Sequence, residues 1–138
     1  MNASVLIVED DPIIAFDIQQ QLKDLHYQIH DVVPSGEQAL QSIRETVPDV
    51  ILMDIKLKGT LNGIQTAKQI LSKARVPIIF VSACLSSYNL NSFNHLGICK
   101  CVSKPYDDIT LQTYIQLALV QQKIEDRLST HQVNPSLN

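Results

Sequence analysis

Four places in the chain hold side chains that could act together on a charged group: the acidic triplet Glu9-Asp10-Asp11, then Asp54, Ser82 and Lys104. Carboxylates brought to one spot repel each other and raise their own pKa values unless a cation intervenes. A hard, oxygen-preferring ion such as Mg2+ suits such donors. Lys104 would add a fixed positive charge and Ser82 a hydroxyl donor on the opposite side. A nucleophilic carboxylate, a metal, a cation and a hydrogen-bond donor make a set suited to phosphoryl transfer, in which catalysis is mostly positioning and charge neutralisation. Each feature also has a plain structural explanation. An acidic triplet can simply favour a helix N-terminus, and a Lys-Pro pair can simply be a turn. Their joint occurrence, each after a different apolar run, favours the chemical explanation.

Those runs must be the elements that place the residues. Ser4–Val8 and residues 49–53 and 77–81 are short, rich in Val and Ile, and continuously apolar, as strands buried on both faces of a parallel sheet are. Weaker strand signals lie at 29–33 and 98–102. Helical spacing fills the intervals. Ile14, Ile18, Leu22 and Leu25 follow one helix face, with Asp11 as cap and Pro12 in the first turn. Ser35 followed by Gln38 is a capping-box pattern opening a helix that turns Ala39, Leu40 and Ile43 inward. A third helix spans about 62–72, and a last one starts near Asp108 with Leu111, Ile115, Ala118 and Leu119 inward. A strand followed by a helix, five times over, predicts an open α/β sheet with helices on both faces and right-handed crossovers. In such a sheet the ligand site lies beyond the carboxyl ends of the strands, where the winding reverses. Glu9, Asp54, Ser82 and Lys104 all follow strands and so fall there.

The 138 residues suffice for one core, assigned to residues 1–128, with the polar, aperiodic stretch 129–138 read as a tail or the start of a linker. A net charge of −3 argues against direct nucleic-acid binding and against an anionic membrane surface. Cys84, Cys99 and Cys101 form an odd set without paired spacing and no long apolar run precedes them, so a reducing cytoplasm is expected. Cys99 and Cys101 would share a strand face, yet no Cys or His cluster completes four metal ligands. The histidines are scattered, and Tyr88, Phe93 and Tyr106 are too sparse for a base-stacking platform. A flavin or nucleotide enzyme would need a glycine- or hydroxyl-rich loop after the first strand, where acids stand instead. An aspartate-based phosphatase would need a second Asp two positions after Asp54, where Lys56 stands.

Leu6-Ile7-Val8-Glu9-Asp10-Asp11-Pro12, Val50-Ile51-Leu52-Met53-Asp54-Ile55, Phe80-Val81-Ser82-Ala83 and Val102-Ser103-Lys104-Pro105 resemble, in order and spacing, the receiver domains of two-component response regulators. The resemblance implies a flavodoxin-like three-layer α/β/α sandwich whose five-stranded parallel sheet has the order 2-1-3-4-5. Carried over residue by residue, it makes Asp54 the phosphoacceptor. It makes Glu9, Asp10, Asp54 and the Lys56 backbone carbonyl the Mg2+ ligands, with Asp11 outside the set. Ser82 becomes the switch hydroxyl and Lys104 the lysine that pairs with the phosphoryl group, with a cis peptide before Pro105. Lys56 and Cys84 would tune the lifetime of the phosphorylated state.

The implied partners are a sensor histidine kinase or phosphotransfer protein, a downstream protein or fused output domain, and a second copy as a homodimer. The implied alternative function is a receiver-shaped docking module that works without phosphorylation. Two departures from the family stand out. The loop from Lys56 to Gly63 is one residue longer than usual, with Lys58 where many relatives have proline. Cys101 replaces the Tyr or Phe that usually follows the switch hydroxyl, so the thiol is expected to contribute only modest packing to the switch.

Overall fold

The computed structural model describes residues 2–83 and 99–133, with side chains up to residue 129. Cys84 and the helix expected between the fourth and fifth strands lie outside the described residues. The continuous apolar runs form β1 (Ser4–Val8), β3 (Val50–Asp54) and β4 (Ile78–Ser82), and the weaker signals form β2 (Gln28–Val33) and β5 (Cys99–Ser103). All pairings are parallel and the strand order is β2-β1-β3-β4-β5, the expected topology. The signal strength follows position in the sheet. The central strands are buried on both faces and need apolar residues throughout, whereas β2 and β5 are edges and keep polar ones.

Alternate residues of the central strands feed two cores. Leu6, Val8, Ile51, Met53, Ile78 and Phe80 meet α2 (Gly36–Glu45) and α3 (Gly63–Leu71) on one face. Val5, Ile7, Val50, Leu52, Ile79 and Val81 meet α1 (Pro12–Asp24) and α4 (Asp108–Val133) on the other. Each fully buried side chain of this size contributes roughly 1.5–3 kcal/mol, so the two cores hold the strand ends rigidly in place. Cys99 and Cys101 share the α2/α3 face, as their spacing requires.

The caps differ in detail from the expected ones. Asp11 caps α1 by accepting from the Ile13 and Ile14 amides. Ser35 accepts from the Gln38 amide, but the reciprocal half of a capping box forms elsewhere, between Asn62 and Gln65 at the start of α3. The last helix continues to Val133, past the end of its inward apolar spacing. Its final turns are rich in Gln, Lys, Glu and Arg, which sustain a helix without burying a face.

Helix α1 ends on His26 in the left-handed region, at φ 69°, with the Tyr27 amide donating to the Leu22 carbonyl and the His26 amide to Lys23. This is a Schellman-type end, where glycine avoids the steric cost of a Cβ. Because the His26 side chain is exposed, His26→Gly is expected to raise stability by about 0.5–1 kcal/mol in urea unfolding. A loss would mean that the imidazole makes contacts outweighing the backbone strain.

Candidate functional site

The carboxyl ends of β1, β3, β4 and β5 lie side by side. Val8 pairs with Met53, Asp54 with Val81, and Ser82 with Ser103, so the residues that end these strands meet on one edge. Asp54 is the last residue of β3 itself rather than the first after it. Glu9 follows β1 and is buried, 4% exposed. The Lys104 amide donates to the Ser82 carbonyl at 2.9 Å, extending the β4–β5 ladder by one step and fixing where Lys104 leaves the sheet. Its ammonium then lies 3.3 Å from Glu9 Oε1 and 3.5 Å from Asp54 Oδ2.

Within the acidic triplet the structure separates the roles. Glu9, Asp10 and Asp54 each offer a carboxylate oxygen within 4.8 Å of the others. Asp11 turns its carboxylate to the α1 amides, while its own amide donates to Glu9 Oε2 at 3.1 Å. Ser82 is buried at the end of β4, one residue beyond the partner of Asp54. The Lys104-Pro105 peptide is cis. Lys56 is exposed at the start of the loop after Ile55.

Burial is the main cause that pushes the Glu9 carboxyl up to about 7, and the nearby Asp54 pushes the same way. The Asp11 amide and the Lys104 ammonium oppose them and only partly succeed. Three carboxylates around one lysine are short of positive charge, and their donor atoms are all hard oxygens. That set fits Mg2+ and not a thiophilic ion. Burial raises the Cys99 thiol to about 12 and raises Cys101 as well, which keeps both protonated and poor as metal ligands or nucleophiles. Tyr106 is also pushed to about 12, first by burial and then by Glu9, Asp17, Asp108 and Asp54. Tyr106, Pro105 and Ile14 line a cleft beside Lys104.

The direction of the Glu9 shift fixes a pH dependence. The folded chain holds this proton more tightly than the unfolded one, whose carboxyl titrates near 4.5. The stability from this group is therefore complete below about 4.5 and is lost as pH rises through about 7. Glu37 and Asp107 are shifted down and matter only at more acid pH. Metal-free protein should thus be less stable at pH 8 than near pH 5.5, by on the order of 1–3 kcal/mol in urea unfolding. Adding Mg2+ at pH 8 should recover the loss. Stability that stays flat across that window would remove Glu9 from the charge cluster.

Sequence reasoning found the four strand-end positions and missed one close approach. A Cβ at Gly63 would stand 2.1 Å from the Asp54 carbonyl oxygen. A glycine directly after Asn62, at the start of a helix, was the available signal, and it says nothing of which strand lies against it.

Residues 5–116 match the response regulator receiver domain. The chain is 32% identical to the transcriptional regulatory protein CseB of Streptomyces coelicolor over 83% of its own length and 48% of that protein's. It is 26% identical to the phyllosphere-induced regulator PhyR of Methylorubrum extorquens over 95% of its own length and 49% of the relative's. The chain spans about half the length of these curated relatives. The signal receiver domain of a modulated diguanylate cyclase from Desulfovibrio desulfuricans G20 superimposes with a TM-score of 0.79 at 31% identity, covering 91% of this chain and 99% of that one. Receiver domains generally bind Mg2+ at an acidic site, and this chain has an acidic cluster in Glu9, Asp10 and Asp54. With the match covering most of the chain and the sheet order, acidic cluster and strand-end lysine all in agreement, this chain belongs to the response regulator receiver domain family.

Proposed function

We propose that this receiver takes a phosphoryl group onto the Asp54 carboxylate from a histidine kinase or a phosphotransfer protein and changes conformation in response. The observation that carries this is the meeting of Glu9, Asp10 and Asp54 within 4.8 Å, with the Lys104 ammonium 3.5 Å from the acceptor. An Asp54 carboxylate oxygen forms a bond to phosphorus as the bond from phosphorus to the donor nitrogen breaks. Lys104, already beside Asp54, pairs with the phosphoryl oxygens and holds the acceptor in place. Glu9, Asp10, Asp54 and the Lys56 carbonyl would hold Mg2+, which when bound supplies positive charge against the phosphoryl oxygens. Ser82 would donate its hydroxyl to the new group. Water later cleaves the acyl phosphate, a step whose rate the resemblance assigns to Lys56 and to Cys84, the latter outside the described residues.

Incubation with a radiolabelled small phosphodonor tests the proposal. Acid-stable, base-labile label should form with Mg2+ and fail to form when the metal is chelated. No label under either condition would favour the docking-module alternative.

The partner side rests on surface chemistry. Ile109, Leu117, Val120, Ile124 and Leu128 are each more than half exposed and fall on one side of α4, away from the sheet. This stripe supports docking of a downstream protein or a second copy. Among the described residues no helix is long and apolar enough to cross a membrane, which fits the proposed place in the cytoplasm with a kinase partner.

A further inference from the structure

The loop after Asp54 is closed at both ends. Ile55 is fully buried, and its carbonyl accepts from the Gly63 amide at 2.7 Å. Between these points Leu57 and Leu61 pack part-buried against the core, while Lys56 and the stretch Lys58, Gly59 and Thr60 are exposed, so packing alone does not fix the middle of the loop. A side chain from a different element reaches it. Glu37, in the first turn of α2, accepts a hydrogen bond from the Thr60 hydroxyl at 2.8 Å on Oε1. Its Oε2 lies 3.0 Å from where a Cβ on Gly59 would be. Gly59 has φ +99°, the left-handed conformation that folds the loop around the carboxylate.

Further contacts locate α2 against the same loop. A Cβ on Gly36 would meet Thr66 Oγ1 at 2.0 Å and the Leu61 Cβ at 3.1 Å, so α2 begins in close contact with the loop's end and with α3. The Thr60 hydroxyl is also the leading cause that lowers the Glu37 carboxyl below its ordinary range, followed by backbone amides including that of Leu61 and by the Ser35 hydroxyl. The carboxylate thus gathers donors from both sides of the junction.

Resting on the phosphoacceptor site proposed above, we infer that Glu37 is a positioning residue. Its clamp on Gly59 and Thr60 sets the path of the loop and so the place of the Lys56 carbonyl beside Asp54. A loop tied at both ends and gripped in the middle has few ways to move. Released in the middle, it would present the carbonyl in several places, and metal binding would have to select one. Groups bonded directly to metal ligands tune affinity by fixing their orientation, and Glu37 would do so at longer range, through the backbone from Thr60 back to Lys56.

The test titrates Mg2+ alone into wild type, Glu37→Ala, Glu37→Gln, Thr60→Val and the Glu37→Ala/Thr60→Val double variant, by calorimetry or NMR. Amide exchange is followed over residues 57–61 in the metal-free proteins. Glu37→Ala and Thr60→Val should each weaken Mg2+ binding roughly threefold to tenfold and speed exchange in the loop, with only the small drop in unfolding midpoint that loss of one exposed hydrogen bond implies. The double variant should lose no more than either single one, because both remove the same link. Glu37→Gln keeps an acceptor for the Thr60 hydroxyl and should retain most of the affinity. Additive losses, wild-type affinity in Glu37→Ala, or a Glu37→Gln protein as weak as Glu37→Ala would each overturn the clamp. Asp10→Asn serves as the control. If wild type fails to bind Mg2+, or Asp10→Asn binds as tightly as wild type, the metal site falls and takes the clamp with it. If only Glu37→Ala is silent, the clamp alone is wrong.

Discussion

Asp54→Asn protein should take up no label from a small phosphodonor in the presence of Mg2+, a loss on the order of a thousandfold or more in rate. The amide has the shape of the carboxylate but lacks its nucleophilic oxygen. Asp54 ends β3 with Met53 fully buried on one side and Ile55 on the other, so the substitution should leave the backbone where it is. The same change removes a charge that pushes the Glu9 carboxyl upward. The substituted protein should therefore be at least as stable as wild type at pH 8 without metal. Lost labelling together with retained or raised stability separates a chemical role from a folding defect. Label that persists on the variant would place the acceptor elsewhere, with Glu9 and Asp10 the other carboxylates of the cluster to examine.

Much of this site was legible in the residues because it lies at strand ends, and the strands are legible when buried. β1, β3 and β4 read as continuous apolar runs since both their faces meet helices. The end of such a run marks the sheet edge to within a residue, which is why Asp54 closes β3 instead of following it. The cap at the end of the acidic triplet was also readable, because Pro12 starts a helix and leaves Asp11 before it. The edge strands gave weaker signals for the reason that makes them edges, since polar residues are tolerated where no neighbour covers them.

Other features depend on contacts between elements distant in sequence, and no local pattern carries them. Nothing around Glu37 announces that a loop from beyond β3 will fold onto its carboxylate. Spacing alone could not tell the half-formed box at Ser35 from the complete one at Asn62, since both have the same pattern. The length of α4 was hidden too, because its last turns hold their shape by backbone hydrogen bonding with no buried stripe to set a period. A glycine in a helix shows the same limit, since its cause lies in whatever backbone stands against it.

Gly63→Ala should destabilise the protein by roughly 2–4 kcal/mol and disturb the site at the same time. Helix propensity alone predicts the opposite, a gain for alanine over glycine of up to about 1 kcal/mol inside a helix and less at its first position, where Gly63 stands. The contact geometry decides against it. The added Cβ would stand 2.1 Å from the Asp54 carbonyl oxygen, 2.8 Å from the Ile55 Cα and 2.9 Å from the Asp54 carbonyl carbon. These are backbone atoms of a central strand and cannot rotate away, unlike the end of a flexible side chain. Two responses are open to the chain. Helix α3 can move off the strand, which stretches the 2.7 Å hydrogen bond from the Gly63 amide to the Ile55 carbonyl and lifts Ala67 and Ile70 from the core. Alternatively the peptide after Asp54 can shift, which carries the acceptor carboxylate away from Lys104. Urea unfolding measures the first and Mg2+ titration the second. A Gly63→Ala protein as stable as wild type, or more stable by the amount helix propensity predicts, would show that α3 can retreat without cost and that the close approach at Asp54 does not hold the phosphoacceptor in position.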